Sequence, residues 1–73
     1  MPSQDIHSAA DFGAAVRAAR TKQSLTQRQL ALAVGAGERF IVELESGKPT
    51  SRLGKALEVA AALGITTSMS YEG

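Results

Sequence analysis

The candidate chemistry of this sequence lies in its cations. All eight basic side chains fall between positions 17 and 55: Arg17, Arg20, Lys22, Arg28, Arg39, Lys48, Arg52 and Lys55. Only Glu38, Glu43 and Glu45 are acidic in that window, so eight cations and three anions leave it a formal charge of +5 in a chain of net charge +1. This distribution favours a polyanionic partner, although a solvated basic surface is an alternative on charge alone.

Other chemistries lack the residues they need. The 73-residue chain has no cysteine and one histidine, so we expect no thiol nucleophile, no metal site and no cofactor. The sequence offers no defensible carboxylate pair for acid–base catalysis, and its seven glycines are scattered rather than gathered in a phosphate-binding loop. The chain is therefore predicted not to be an enzyme.

Composition indicates a small globular domain. Hydrophobic residues make up 44% of the chain and charged residues 21%, and no apolar run is long enough to cross a membrane. The first ten residues have neither a basic start nor an apolar stretch, so we expect no secretory signal and a cytoplasmic, nucleoid-associated location. A domain of this size buries only about 60% of its unfolded surface, so we also expect self-association.

A first helix is predicted over residues 9–22, after a flexible arm at residues 1–7. Its apolar positions Phe12, Val16 and Ala19 recur at helical spacing. Ser8 and Asp11 have the spacing of a capping box, in which side chains bond the free amides of a helix start.

Two shorter helices follow, joined by a glycine-containing turn. Thr26 and Gln29 form a second capping-box pattern, and Gly35 is suited to end that helix in a left-handed conformation. Gly37 can cap a third helix, predicted over residues 38–46. Two short helices joined in this way indicate a helix-turn-helix motif.

A fourth helix is predicted to begin at a Thr50 or Ser51 cap and to end at Gly64. Its core-facing residues would share one apolar stripe. They are Leu53, Ala56, Leu57, Ala60 and Leu63.

The last residues change period. Ile65, Thr67, Met69 and Tyr71 alternate with polar residues, which predicts a β-strand. A lone strand exposes its backbone groups, so we expect it to pair with the same strand of a second copy. A frayed tail is the alternative. The predicted organisation is an arm at 1–7, a helix-turn-helix domain at 8–64 and a dimerisation strand at 65–73.

Taken together, these residues resemble the Cro/C1 (Xre) family of helix-turn-helix DNA-binding domains. The residues that carry the resemblance are Arg20, Leu25-Thr26-Gln27, Leu30-Ala31, Val34-Gly35, Ile41, Leu44-Glu45, Gly47-Lys48 and Ala62-Leu63-Gly64. Within that family, residues 39–50 and the short C-terminal strand are similar to HipB-type antitoxins. The resemblance implies an all-α fold of four to five helices, with the C-terminal strand pairing across a dimer.

The resemblance also implies that helix 38–46 enters the DNA major groove. The predicted base-contacting residues are Glu38, Arg39, Val42 and Glu43. Arg39 matches the two acceptors of guanine, Glu38 can accept from the amino group of cytosine, and Val42 can touch a thymine methyl.

Other side chains are expected to contact the DNA backbone. They are Thr26, Gln27, Phe40, Ser46, Lys48 and Arg52. Phe40 has a second interpretation as a partly buried core residue. Arg20 and Glu45 match an internal ion pair of the family, and Lys22, Arg28 and Lys55 are expected to be solvated.

The function implied is a sequence-specific transcriptional repressor. Its partners would be an inverted-repeat operator in double-stranded DNA, a second copy of the chain and a HipA-like kinase toxin, as in a type II toxin–antitoxin pair that autoregulates its operon. Two alternatives are open: a protein-interaction module that mainly binds and inhibits a toxin, and a stand-alone phage-type repressor.

Overall fold

Four α-helices make up the fold in the computed structural model, which describes residues 5–69 and 71. They are α1 (Ala9–Lys22), α2 (Gln27–Val34), α3 (Glu38–Glu45) and α4 (Leu53–Ala62). The all-α prediction is confirmed, since no strand occurs among the described residues. None of the helices in this part of the chain is long and apolar enough to cross a membrane.

The predicted caps of the first two helices are present. Ser8 Oγ accepts a hydrogen bond from the Asp11 amide at 3.1 Å. Thr26 Oγ1 accepts from the Gln29 amide at 3.0 Å, and the Gln29 side chain accepts from the Thr26 amide at 2.8 Å. Gly35 follows α2 with a φ of 68°, the left-handed conformation that ends the helix.

The predicted cap of α4 is wrong. Arg52 occupies the N-cap position without a side-chain cap, and α4 begins only at Leu53. The Thr50 hydroxyl instead accepts from the Arg52 amide at 3.0 Å, so it bonds a backbone group in the preceding turn. A hydroxyl near a helix start has both options, and the spacing of the sequence does not separate them.

The core lies among the four helices, because α1 and α2 pack against α3 and α4 packs against α2. Its buried residues are small and aliphatic. They are Val16, Leu30, Ala31, Ile41, Leu44, Ala56, Val59, Ala60 and Leu63.

The predicted apolar stripe of α4 needs correction. Leu53 and Leu57 are 64% and 41% exposed, whereas Val59, absent from the predicted stripe, is fully buried. Since this helix has apolar residues around most of its circumference, its sequence alone does not indicate which side faces the core.

Two polar side chains join α4 to the rest of the fold. Lys55 Nζ donates to the Val34 carbonyl at the end of α2, at 3.1 Å. Gln23 Nε2, after α1, donates to the Leu63 carbonyl at 2.8 Å. The prediction that Lys55 is solvated is therefore wrong, because its ammonium satisfies a free carbonyl of a helix end.

The described residues after α4 differ in their contact with the core. Ile65 is half-buried against it, but Met69 and Tyr71 are 100% and 92% exposed. Residues 65–69 and 71 form no strand within a single chain, so the predicted strand, which needs a partner, stays a prediction. Residues 1–4 of the predicted arm and residues 70, 72 and 73 of the predicted strand lie outside the described residues.

Gly13 allows α1 and α3 to approach backbone to backbone. A Cβ built at this buried glycine would lie on the Leu44 carbonyl oxygen and 3.1 Å from the Glu45 carbonyl oxygen. These atoms belong to the backbone of α3, so they cannot move aside as a side chain would.

We expect Gly13→Ala to lower the free energy of unfolding by about 3 kcal/mol or more, because the methyl group forces α1 away from α3. Gly54→Ala is the matched control, since a Cβ at Gly54 meets nothing within 4 Å. Alanine there should stabilise α4 by about 0.5–1 kcal/mol. Urea unfolding followed by circular dichroism measures both, and equal midpoints would contradict the close approach.

Candidate nucleic-acid interface

Helix α3 presents one polar face to solvent. Its opposite face buries Ile41 and Leu44, whereas Glu38, Arg39 and Val42 are exposed. Glu43 is half-buried and lies one turn after Arg39. The structure therefore brings the four predicted base-contacting residues together on the solvent side of one helix.

The orientation of this face is fixed by an ion pair between α1 and α3. Arg20 Nε donates to Glu45 Oε2 at 2.6 Å, and Arg20 Nη2 donates to Glu45 Oε1 at 2.9 Å. The two side chains are only 12% and 3% exposed, so the pair is held away from water. The hydrogen bond to Glu45 raises the pKa of Arg20, although burial partly opposes it. The predicted ion pair is confirmed.

The same two side chains also hold α2 and the turn before it. Arg20 Nη1 donates to the Leu25 carbonyl at 2.7 Å, and Gln27 Nε2 donates to Glu45 Oε1 at 3.2 Å. Gln27 was predicted to contact the DNA backbone. In the free protein its amide is bonded to Glu45, so the first turn of α2 is tied directly to the last turn of α3.

Glu43 bonds two of the predicted DNA-contacting cations. Its Oε1 accepts from Arg39 Nε at 3.2 Å, and its Oε2 pairs with Lys48 Nζ. These contacts lower the pKa of Glu43, with the hydrogen bond from Lys48 as the largest cause. Arg39 nevertheless stays 90% exposed, so most of its guanidinium faces solvent.

Phe40 agrees with its core interpretation, although it is not fully buried. Its ring is half-buried against the core, and the Arg52 guanidinium lies 4.8 Å from the ring centroid. Arg39, Lys48 and Arg52 all line one open cleft of about 380 Å³, in which Glu43 is the acidic lining residue. The cleft thus gathers three cations beside the exposed face of α3.

The two remaining residues predicted to contact the DNA backbone, Thr26 and Ser46, cap helix ends. Thr26 lies exposed before the first turn of α2, where free amides and the helix dipole favour an anion. Ser46 Oγ, after α3, donates to the Glu43 carbonyl at 2.7 Å. Among the described residues, no group of three or more His, Cys, Asp or Glu side chains converges as metal ligands would.

Sequence comparison connects this geometry to known proteins. Residues 16–69 match the helix-turn-helix family HTH_3. The chain is also 47% identical over 68 residues to the uncharacterized HTH-type transcriptional regulator y4mF of Sinorhizobium fredii, an alignment that covers 93% of this chain and 90% of the relative.

Solved structures show the same fold. A chain of a HipA-HipB-O2-O3 complex is 20% identical and has a TM-score of 0.83, with 97% of this chain and 100% of that chain covered. A structure named MDT Protein gives the same identity, TM-score and coverage. At this identity, the likeness is one of fold alone.

We expect Glu45→Gln to lower the free energy of unfolding by about 2 kcal/mol or more, because it leaves the part-buried Arg20 guanidinium without a counter-charge. Glu58→Gln is the matched control. Glu58 pairs with Lys55 at 2.7 Å but is 61% exposed, so its loss should change stability by at most about 1 kcal/mol. Urea unfolding of both variants checks this, and equal losses would exclude a special role for the Arg20–Glu45 pair.

Proposed function

Because this chain belongs to the helix-turn-helix family of transcriptional regulators, we propose that it is a dimeric repressor that binds an inverted-repeat operator. The observation that carries the proposal is the exposed face of α3, with Arg39 at 90% exposure on a helix braced from behind by a buried ion pair. A rigid helix that presents a guanidinium to solvent is the element that reads base edges in the major groove.

In this proposal, α3 faces the bases with Glu38, Arg39, Val42 and Glu43. Arg39 donates to the two acceptors of guanine, and the 42% exposed Val42 meets a thymine methyl. The exposed Glu38 accepts a hydrogen bond from a cytosine amino group.

Residues around α3 bind phosphate and set the register of the protein on DNA. Lys48 and Arg52 lie on one side of the helix, in the cationic cleft. Thr26 and Gln27 lie at the start of α2, where helix amides face an anion. Ser46 and the half-buried Phe40 complete the set.

A second copy gives the operator its symmetry and adds affinity. Exposed apolar side chains support self-association: Met69 and Tyr71 near the C-terminus, and Leu53 and Leu57 on α4. We propose that residues 65–73 pair between copies, with Ile65, Thr67, Met69 and Tyr71 at the interface.

The finer proposal is that of a HipB-like antitoxin, which autoregulates its operon and restrains a HipA-like kinase toxin. It is supported by the resemblance over residues 39–50 and by the fold shared with a HipA-HipB complex chain. Such a regulator works on the bacterial nucleoid, in the cytoplasm. The competing functions are a module that mainly restrains a toxin and a stand-alone repressor with no toxin. The identity of the neighbouring gene distinguishes the stand-alone repressor from the other two.

The proposal is tested by fluorescence anisotropy with duplex DNA from upstream of the gene and a scrambled duplex, near 0.15 M salt. We expect a specific-to-scrambled affinity ratio above about 10³. Arg39→Ala should lower specific affinity by about 1–3 kcal/mol and reduce that ratio, because one guanine is no longer recognised.

Arg17→Ala is the matched control, since it removes the same charge from an exposed position on α1. It should leave the affinity ratio unchanged. Equal effects of the two substitutions would contradict the proposed recognition face. If Arg39→Ala also abolishes binding to the product of a neighbouring HipA-like gene, the same face serves the toxin and the interaction-module function is favoured.

The dimer has a separate test. Deletion of residues 66–73, which keeps the half-buried Ile65, should weaken both self-association and operator binding, because it removes the proposed intermolecular strand. Sedimentation equilibrium measures the dimer constant, and deletion of residues 1–4 at the other terminus is the control. An unchanged dimer constant would exclude the C-terminal pairing.

A further inference from the structure

Glu43 occupies an unusual position for an acid on a DNA-facing helix. It contacts both Arg39, which we assign to a base, and Lys48, which we assign to a phosphate. The other acid on the exposed face, Glu38, makes no ion pair with the described residues. The two acids of this face therefore have different surroundings although they carry the same charge.

The backbone keeps Lys48 beside Glu43. The Lys48 amide donates to the Glu43 carbonyl at 3.1 Å, in the turn that ends α3. Ser46 Oγ donates to the same carbonyl at 2.7 Å. The closed turn thus places the Lys48 backbone next to Glu43, with its ammonium within reach of the Glu43 carboxylate.

Arg39 is bonded through one edge only. Its Nε donates to Glu43 Oε1, and neither Nη atom has a hydrogen-bond partner among the described residues. The two Nη groups and their fork are the part of a guanidinium that faces the O6 and N7 acceptors of guanine. Arg39 can therefore keep its bond to Glu43 while it contacts a base.

We propose that Glu43 is a positioning residue for sequence specificity. It holds Arg39 with the Nη fork directed outward, and its carboxylate occupies the place that a DNA phosphate would take between Arg39 and Lys48. A non-specific phosphate must displace this carboxylate to bind both cations, whereas guanine binds Arg39 with the carboxylate in place. Glu43 then weakens non-specific binding more than operator binding.

This inference rests on the proposed DNA-binding function and assigns Glu43 a role other than a direct base contact. A Glu43 carboxylate that turns to accept from cytosine weakens its present contacts with Arg39 and Lys48. Retention of both cations is chemically the simpler arrangement, since the carboxylate oxygens already have charged donors.

The test compares Glu43→Gln with Glu38→Gln, which changes the net charge by the same amount on the same helix face. Both variants and the wild type are titrated by anisotropy against the upstream and scrambled duplexes over a range of salt concentrations. Far-ultraviolet circular dichroism checks that each surface variant keeps its helices.

We expect Glu43→Gln to tighten binding to the scrambled duplex at least threefold beyond the effect of Glu38→Gln. Its salt dependence should steepen by about 0.9 in log–log slope for each cation freed to bind phosphate. In Glu43→Gln, the ratio of specific to scrambled affinity should fall about tenfold. In Glu38→Gln, the log–log salt slope measured on the scrambled duplex should change little.

The two substitutions could have equal effects on scrambled DNA while the wild type keeps a high ratio of specific to scrambled affinity. That result would overturn the inference and leave the proposed function standing. Loss of operator affinity in Glu43→Gln with no gain on scrambled DNA would overturn the claim that the carboxylate keeps phosphate away from Arg39 and Lys48. A wild-type ratio near one would overturn the proposed function itself, and with it this role for Glu43.

Discussion

The bidentate ion pair between Arg20 and Glu45 is the contact on which the geometry of this domain depends. It joins α1 to the last turn of α3, and through the Leu25 carbonyl and the Gln27 amide it also fixes the turn and the start of α2. The pair is nearly excluded from water, so both charges need each other there. One buried interaction therefore sets how the proposed DNA-binding helix sits on its support.

The helices of the motif are too short to be stable alone. α2 and α3 have eight residues each, whereas isolated helices below about 12–15 residues are marginal in water. They persist because Leu30 and Ile41 are almost completely buried between them and their neighbours. The solvent-facing surface of α3 consequently exists only in the packed domain, and its function and stability depend on the same core.

The three acids of the basic segment show how packing separates residues of the same type. Glu45 is buried and bonded to Arg20, Glu43 is half-buried between two surface cations, and Glu38 is exposed without an ion pair among the described residues. Each environment gives the carboxylate a different physical role. The first is structural, the second controls two cations, and the third is free to meet solvent or DNA.

Caps and helical periodicity act over three or four residues, so local patterns predict the helices, their order and the exposed side of α3. The capping box at Thr26 and the glycine end at Gly35 are signals of this local kind. Packing between helices, by contrast, sets which side of α4 is buried and why Gly13 has no side chain. Those outcomes depend on contacts between distant segments, and a chain's local pattern does not specify where such segments meet.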